Sequence, residues 1–238
     1  MITVAVIGAR GRMGSTVCET VEHTEGMELV AAIDQGDDRD AIVKAGAQVC
    51  VEFSTPATVH DNVAWLLDNG IHAVVGATGM TSADIDDLRR RATTVNCLVV
   101  PNFAISAVLL MQFAAQAAKY MPNVEIIELH HDRKVDAPSG TAIHTAEAIA
   151  TNRTQTPEIC GPAGHPARGS EHHGVMVHSV RLPGLLAHEE VIFTAQGQAL
   201  TLRQDSFDRY SFMPGVVMAI QRIHTLNGLA VGLDAVMA

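Results

Sequence analysis

Ile2-Thr3-Val4-Ala5-Val6-Ile7-Gly8-Ala9-Arg10-Gly11-Arg12-Met13-Gly14 opens with a nearly all-apolar run and closes with a glycine at every third position. Such a run suits a parallel strand buried on both faces, because it shows no regular polar alternation. The glycines allow a tight turn, a close approach of backbone N–H groups to a pyrophosphate, and near contact between strand and following helix. The spacing is G-x-x-G-x-x-G, not the commonest form of the dinucleotide fingerprint, and glycines after a strand often serve only as turn residues. A second strand over residues 28–33 ends in Asp34, twenty positions beyond Gly14, where a carboxylate suits an adenosine ribose. Strand, glycine loop, helix, strand and terminal acid together predict a Rossmann-like α/β unit.

The alternation continues. A short helix near residues 39–45 leads to a strand at 48–53. Ser54-Thr55-Pro56 then opens a helix, with Pro56 near its first position and Gly70 closing it. A fourth strand runs into Gly76-Ala77-Thr78-Gly79. Thr81 and Asp84 form a capping pair for a helix to about Thr94, and a fifth strand over 97–100 ends in Pro101-Asn102-Phe103-Ala104. Ligands of open parallel sheets lie outside the carboxyl ends of the strands. The strand ends at Gly8, Asp34, Phe53-Ser54, residues 76–78 and Pro101-Asn102 are therefore expected to line one crevice.

After Pro101 the rhythm changes, which marks a domain boundary. A long helix (105–120) and a strand (124–130) lead to Glu128-Leu129-His130-His131-Asp132-Arg133-Lys134-Val135-Asp136-Ala137-Pro138-Ser139-Gly140-Thr141-Ala142. Pro138 forces a turn, and Ser139 is a good N-cap for a helix to about Asn152. The amides of Ser139, Gly140 and Thr141 beside Lys134 make a cradle for a carboxylate or phosphate. His130 and His131 add groups able to move protons near neutral pH, and on a strand they project to opposite faces. The spacing leaves open which ring faces the ligand. An irregular stretch (156–174) precedes three strand-like segments at 175–181, 189–195 and 200–206, expected as an antiparallel or mixed sheet with one covered face. A final helix over 209–225, interrupted near Pro214-Gly215, is expected to return to the first domain. The organisation expected is a dinucleotide-binding domain of residues 1–104 with 215–238, and an α+β substrate domain of 105–214.

A net charge of −10 over 238 residues argues against nucleic acid or an anionic membrane as the main partner. Cys18, Cys50, Cys97 and Cys160 lie far apart, as expected for reduced thiols in a cytosolic protein. The apolar stretch 103–118 carries Gln112 and Gln116 and is too short to span a bilayer comfortably, and no basic segment precedes the apolar start. His172, His173, His178 and His188 raise the histidine count, yet no metal-ligand spacing appears and no metal is expected. Ser139 sits in cap chemistry, not in a nucleophile elbow. Glu189 and Glu190 alternate across a strand, so they are not an acid–base pair.

The stretch 128–142 resembles the signature of the 4-hydroxy-tetrahydrodipicolinate reductase (dihydrodipicolinate reductase) family, nicotinamide-dependent enzymes of the diaminopimelate route to lysine. The glycine loop, Gly76-Ala77-Thr78-Gly79, Asn102-Phe103 and Phe212-Met213-Pro214-Gly215 match in kind and order, and Val180-Arg181-Leu182-Pro183-Gly184 is similar to actinobacterial-type members. Ser106 departs from the glycine usual there. The resemblance implies His130 as the acid/base residue and Lys134 as proton donor. It implies substrate contact from His131, Ser139, Gly140 and Thr141, and a homotetramer built through the substrate domain's sheet. Gly8, Ala9, Arg10, Gly11, Arg12, Met13, Asp34, Gly76, Ala77, Thr78, Pro101, Asn102, Phe103 and Ala104 would hold NADH or NADPH. Asp34 favours an unphosphorylated ribose, while Arg10, Arg12 and Arg39 offset its repulsion of a phosphate, so both cofactors are expected to serve. Domain closure is a further expectation, since the two motifs lie on different domains. Two other readings stand beside this one. A semialdehyde or homoserine-type dehydrogenase lacks support because no cysteine has a nucleophile's context, and a non-catalytic nucleotide sensor leaves the His-His-Lys loop idle.

Overall fold

The first strand, β1 (Ile2–Ile7), is followed by α1 (Arg12–Glu22), β2 (Met27–Ile33), α2 (Asp40–Lys44), β3 (Val49–Glu52), α3 (Val59–Asp68), β4 (His72–Val75), α4 (Ser82–Arg91) and β5 (Cys97–Val99). The chain goes on through α5 (Ile105–Ala118), β6 (Asn123–His130), α6 (Gly140–Asn152), β7 (Ser170–His172), β8 (Val175–Arg181), β9 (Ala187–Ala195) and β10 (Gln198–Ser206). It ends with α7 (Met213–Arg222) and β11 (Leu229–Val231). The computed structural model describes residues 1–155, 157, 161 and 165–237. It divides into two units, Met1–Ile105 with Arg209–Ala238, and Ser106–Asp208.

The first unit is a six-stranded parallel sheet in the order β11-β5-β4-β3-β1-β2. After β1 the chain steps outward to β2, then returns to β3 on the other side of β1. The loops leaving β1 and β3 therefore part, and a crevice opens at their carboxyl ends. Ala5, Ile7, Cys50, Ala73 and Val75 bury one face of the sheet against Ile42 of α2, Val63 and Leu66 of α3 and Leu88 of α4. Burial on both faces explains why β1 and β3–β5 read as continuous apolar runs.

Several boundaries depart from the sequence expectation. α3 begins at Val59, not at Pro56, because the amides of Thr58 and Val59 both donate to the Thr55 carbonyl at 3.0 Å and form a turn first. α4 ends at Arg91, although its start has the expected capping box between Thr81 and Asp84. The last helix is split. A 3-10 turn at Arg209–Phe212 precedes α7, where Pro214 occupies the first turn and its missing N–H costs no hydrogen bond. The Tyr210 hydroxyl donates to Glu19 at 2.7 Å and ties that turn to the first unit.

The second unit is a five-stranded mixed sheet, β10-β9-β6-β8-β7, in which β6 and β8 are parallel and the other neighbours antiparallel. One face is covered. Leu110 and Ala114 of α5 and Ala142, Ala146 and Ile149 of α6 pack on Ile126, Val177, Val191 and Phe193. The irregular stretch expected at 156–174 falls partly outside the described residues, as does Cys160; within the described part lie a 3-10 turn at Pro166–Arg168 and β7. No helix among the described residues is long and apolar enough to cross a membrane.

Candidate active site

The glycine loop after β1 is held by close backbone contacts. Gly8 has φ +80°, and a Cβ there would come within 2.6 Å of the Phe53 carbonyl oxygen. A Cβ on Gly14 would sit 2.0 Å from the Gly8 carbonyl oxygen, so the third glycine lets α1 press on the loop. The amides of Gly8 and Ala9 donate to the Ile33 carbonyl at 2.9 and 3.1 Å. The ladder of α1 starts with Ser15 donating to Gly11 at 3.0 Å, which leaves Arg12, Met13 and Gly14 ahead of the first intrahelical bond. Three amides at a helix start are suited to a phosphate.

A crevice of ≈ 690 Å³ opens beside this loop, bounded by Gly8, Gly11, Asp34, Arg39, Ser54 and Asn62 among others. Asp34 accepts from the amides of Gln35 and Arg10, both at 2.8 Å. These two bonds, the Gln35 one foremost, hold its carboxyl below the ordinary value, so a charged acceptor faces the crevice. Arg10 pairs with Asp37 at 2.6 Å, and the Arg39 guanidinium lies 5.4 Å above the Trp65 ring. Glu52, at the end of β3, is fully buried. It takes hydrogen bonds from the Ser54 hydroxyl and from Asn62 at 3.1 Å, yet burial outweighs them and raises its carboxyl.

The remaining expected cofactor residues gather around Phe53. The amides of Gly76 and Ala77 donate to the Glu52 carbonyl at 2.9 and 3.2 Å, and a Cβ on Gly76 would meet the Phe53 ring at 2.2 Å. Phe53 and Phe103 stack at 5.6 Å, and Asn102 caps its own loop by accepting from the Ala104 amide at 2.9 Å. The loops carrying Thr78 and Pro101 follow the same strand ends. Positive-φ glycine, close-packed loop, helix-start amides and a charged acceptor after β2 fit a pyridine dinucleotide.

In the second unit, β6 delivers Glu128 and His130 to one face, two positions apart. His130 Nδ1 lies 2.6 Å from Glu128 Oε2, leaving Nε2 for other partners. Arg181 on β8 donates two bonds to Glu128, at 2.7 and 2.8 Å, and one to the Asp136 carbonyl at 2.7 Å. It thereby ties the strand to the loop that follows. Burial would raise the Glu128 carboxyl, but the bonds from His130, Arg181 and Ser179 prevail and hold it at about 2. Lys134 is half-buried at the loop tip, with Nζ 2.8 Å from Asp136, whose carboxyl this bond lowers. His131 follows the end of β6. Its Nδ1 is buried without a partner among the described residues, and burial, then the nearby Arg133 and His130, lower its proton affinity.

Ser139 is turned inward. It is 2% exposed, its amide donates to Glu128 at 3.2 Å, and its hydroxyl accepts from Ala142 at 3.2 Å. It therefore caps α6 from a buried position, and its hydroxyl hydrogen is left over from the cap. The ladder of α6 begins with Ile143 donating to Ser139 at 3.1 Å, which places the amide edge of Gly140 and Thr141 ahead of it. The structure thus brings His130, Lys134 and the α6 start onto one loop. Histidines that raised the metal question pair with separate acceptors, His178 with Glu125 and His188 with Asp205, and no metal-binding cluster occurs among the described residues.

The chain matches the family model described as Dihydrodipicolinate reductase, N-terminus, over residues 2–103, and that for the C-terminus over residues 106–237. It belongs to the dihydrodipicolinate reductase family. The 4-hydroxy-tetrahydrodipicolinate reductase of Beutenbergia cavernae is 50% identical over 242 residues, covering 98% of each chain. That of Corynebacterium aurimucosum is 48% identical over 241 residues, covering 98% of this chain and 97% of its own. Among solved structures, the dipicolinate-bound dihydrodipicolinate reductase from Paenisporosarcina sp. TG-14 superposes with a TM-score of 0.89 at 40% identity, over 100% of both chains. A probable dehydrogenase from Thermotoga maritima shares the fold alone, at TM-score 0.61 and 12% identity.

Three residues have no role that the sequence alone assigns: Glu128, Arg181 and Glu52. Glu128 stands two positions before His130, so strand periodicity alone puts their side chains on one face. Arg181 offered no such signal, because its pairing with Glu128 spans 53 positions.

Proposed function

We propose that the chain catalyses the NAD(P)H-dependent reduction of 4-hydroxy-tetrahydrodipicolinate to tetrahydrodipicolinate, in lysine biosynthesis through diaminopimelate. The observation that carries this reading is the loop holding His130, Lys134 and the α6 start together, in a chain of this family. Residues 1–104 with 215–238 serve as the dinucleotide-binding domain, and 105–214 as the substrate-binding and tetramerisation domain.

The reaction adds a hydride and a proton to the cyclic dicarboxylate and releases water. The bound cofactor supplies the hydride. Lys134 gives the proton, and Asp136 at 2.8 Å orients its ammonium. His130 exchanges protons through Nε2, since Nδ1 faces Glu128. The Gly140-Thr141 amides and His131 bind a carboxylate of the substrate, where helix-end dipoles favour negative charge. The amides of Arg12, Met13 and Gly14 hold the pyrophosphate, Asp34 takes the ribose hydroxyls, and residues 76–78 and 101–104 border the nicotinamide.

NADH serves at least as well as NADPH. Asp34 is already a charged acceptor suited to free hydroxyls, while Arg39 borders the same crevice and offers a phosphate partner. Asp34→Ala is expected to lower kcat/KM for NADH by about tenfold and to spare NADPH. Steady-state kinetics with each cofactor check this, and a wild type that uses NADPH alone contradicts it. The uncovered face of the second sheet supports a homotetramer, and the enzyme works in the cytoplasm. The reading as a whole is tested by substrate-dependent oxidation of either cofactor, inhibited by pyridine-2,6-dicarboxylate.

A further inference from the structure

We infer that Glu189 is a positioning residue for this reduction: a buried carboxylic acid whose proton keeps the floor beneath the His130–Lys134 loop at a single negative charge. The inference rests on the function proposed above.

Strand register sets out that floor. Ser179, Glu128, Glu189 and Gln204 lie side by side across β8, β6, β9 and β10, and Arg181, His130, Ala187 and Ser206 form the next row. Directly paired residues share a face, so Glu128 and Glu189 stand next to each other under α6. Glu128 is 0% exposed and Glu189 2% exposed. Among the described residues the floor holds one fixed cation, Arg181, and both of its terminal nitrogens already bind Glu128. His130 also turns to Glu128. The other groups facing Glu189 are neutral: Gln204 and Ser206 on β10, Ser179 on β8, and Thr145 on α6. α5 carries no charged residue, and on α6 His144 and Glu147 pair with each other on the exposed side.

Two carboxyls with one guanidinium and no water access cannot both ionise cheaply. Thr145 has one hydroxyl hydrogen, which it donates to the Thr141 carbonyl at 3.0 Å. The Thr145 hydroxyl also touches Glu189 and favours its ionised form, but burial outweighs that bond. Glu189 Oε1 has no partner among the described residues, as suits the unprotonated oxygen of a carboxylic acid. Burial, opposed by the Thr145 hydroxyl and reinforced by the charge of Glu128, pushes the Glu189 carboxyl up to about 7. The chain Glu189–Thr145–Thr141 leads to the first turn of α6, where the substrate carboxylate is proposed to bind. Loss of the proton would put a second negative charge beneath a dianionic substrate and draw the Thr145 hydroxyl hydrogen from the Thr141 carbonyl toward Glu189. Binding, more than turnover, would suffer.

The test is the pH dependence of KM and kcat for the full chain and Glu189→Gln, which keeps the shape but cannot ionise. At pH 6 the two are expected to agree in KM within about twofold. Between pH 6 and pH 9 the wild-type KM is expected to rise about tenfold more than that of the variant, with kcat little changed. Infrared difference spectra of the resting protein supply a second readout. The wild type should show at pH 6 a protonated-carboxyl stretch that is lost by pH 9 and missing from Glu189→Gln. Parallel KM profiles, or absence of that band in the wild type, overturn the inference. Should Glu189→Gln not fold, the band of Glu52→Gln decides, since Glu52 is another carboxyl raised by burial: a band that persists there belongs to Glu189, and one that vanishes overturns the inference. A chain with no reductase activity defeats the proposed function instead, and loss of the band in Glu189→Gln still reports whether Glu189 holds a proton.

Discussion

Lys134→Ala is expected to keep the fold and to lower kcat/KM by about a thousandfold, the scale of losing a positioned proton donor. The ammonium sits at a loop tip and is tied to Asp136, so removing it leaves no buried partner stranded. Stability should therefore stay within about 0.5 kcal/mol of wild type. Lys134→Arg tests charge apart from proton donation, because a guanidinium keeps the cation but holds its proton too tightly to give it up. It should bind substrate nearly normally and still fail in turnover. Turnover by Lys134→Ala within threefold of wild type would remove this loop from the chemistry.

Glu128→Ala is expected to cost roughly 3–5 kcal/mol of stability, because it leaves the Arg181 cation unpaired in a buried place. His130 Nδ1 and the Ser139 amide lose their acceptor in the same step, so activity should fall with stability. The same pair sets an acid limit for the wild type. The Glu128 carboxyl lies at about 2 in the folded protein against an ordinary 4.5. Its contribution is fully present above 4.5 and is lost as pH falls toward 2. The shift corresponds to about 3 kcal/mol. Denaturant unfolding at pH 7 and pH 3 reads both effects. A loss under about 1 kcal/mol at pH 7 would mean that Arg181 finds another partner.

The parts of the fold legible in the sequence were those carried by local signals. β1 with its glycine loop, the capping box at Thr81 and the start of α6 each have a pattern within about one turn of chain. β7 and β11, at three residues each, are too short to show a period, and they exist because a neighbouring strand edge pairs with them. α3 starts later than Pro56, a good first-turn residue, implies, because the turn at Thr55–Thr58 depends on backbone bonds that composition does not announce. The split of the last helix followed from Pro214-Gly215, which the sequence did flag.

In the site, the loop 130–141 was legible as a cluster because its groups are neighbours in sequence. The charges that organise it were not. Arg181 and Glu189 reach Glu128 only through strand pairing, so their placement needs the register of β6 with β8 and β9. Ser139 shows the reverse case. Its motif was legible, but its burial and its amide bond to Glu128 were not, because both depend on how the loop folds back over β6.

The most direct test of the account is a steady-state assay of the purified chain with freshly generated 4-hydroxy-tetrahydrodipicolinate and NADH or NADPH, following cofactor absorbance. The result expected is substrate-dependent oxidation of both cofactors, blocked by pyridine-2,6-dicarboxylate and abolished by Lys134→Ala. A folded, cofactor-binding chain that oxidises neither would contradict it.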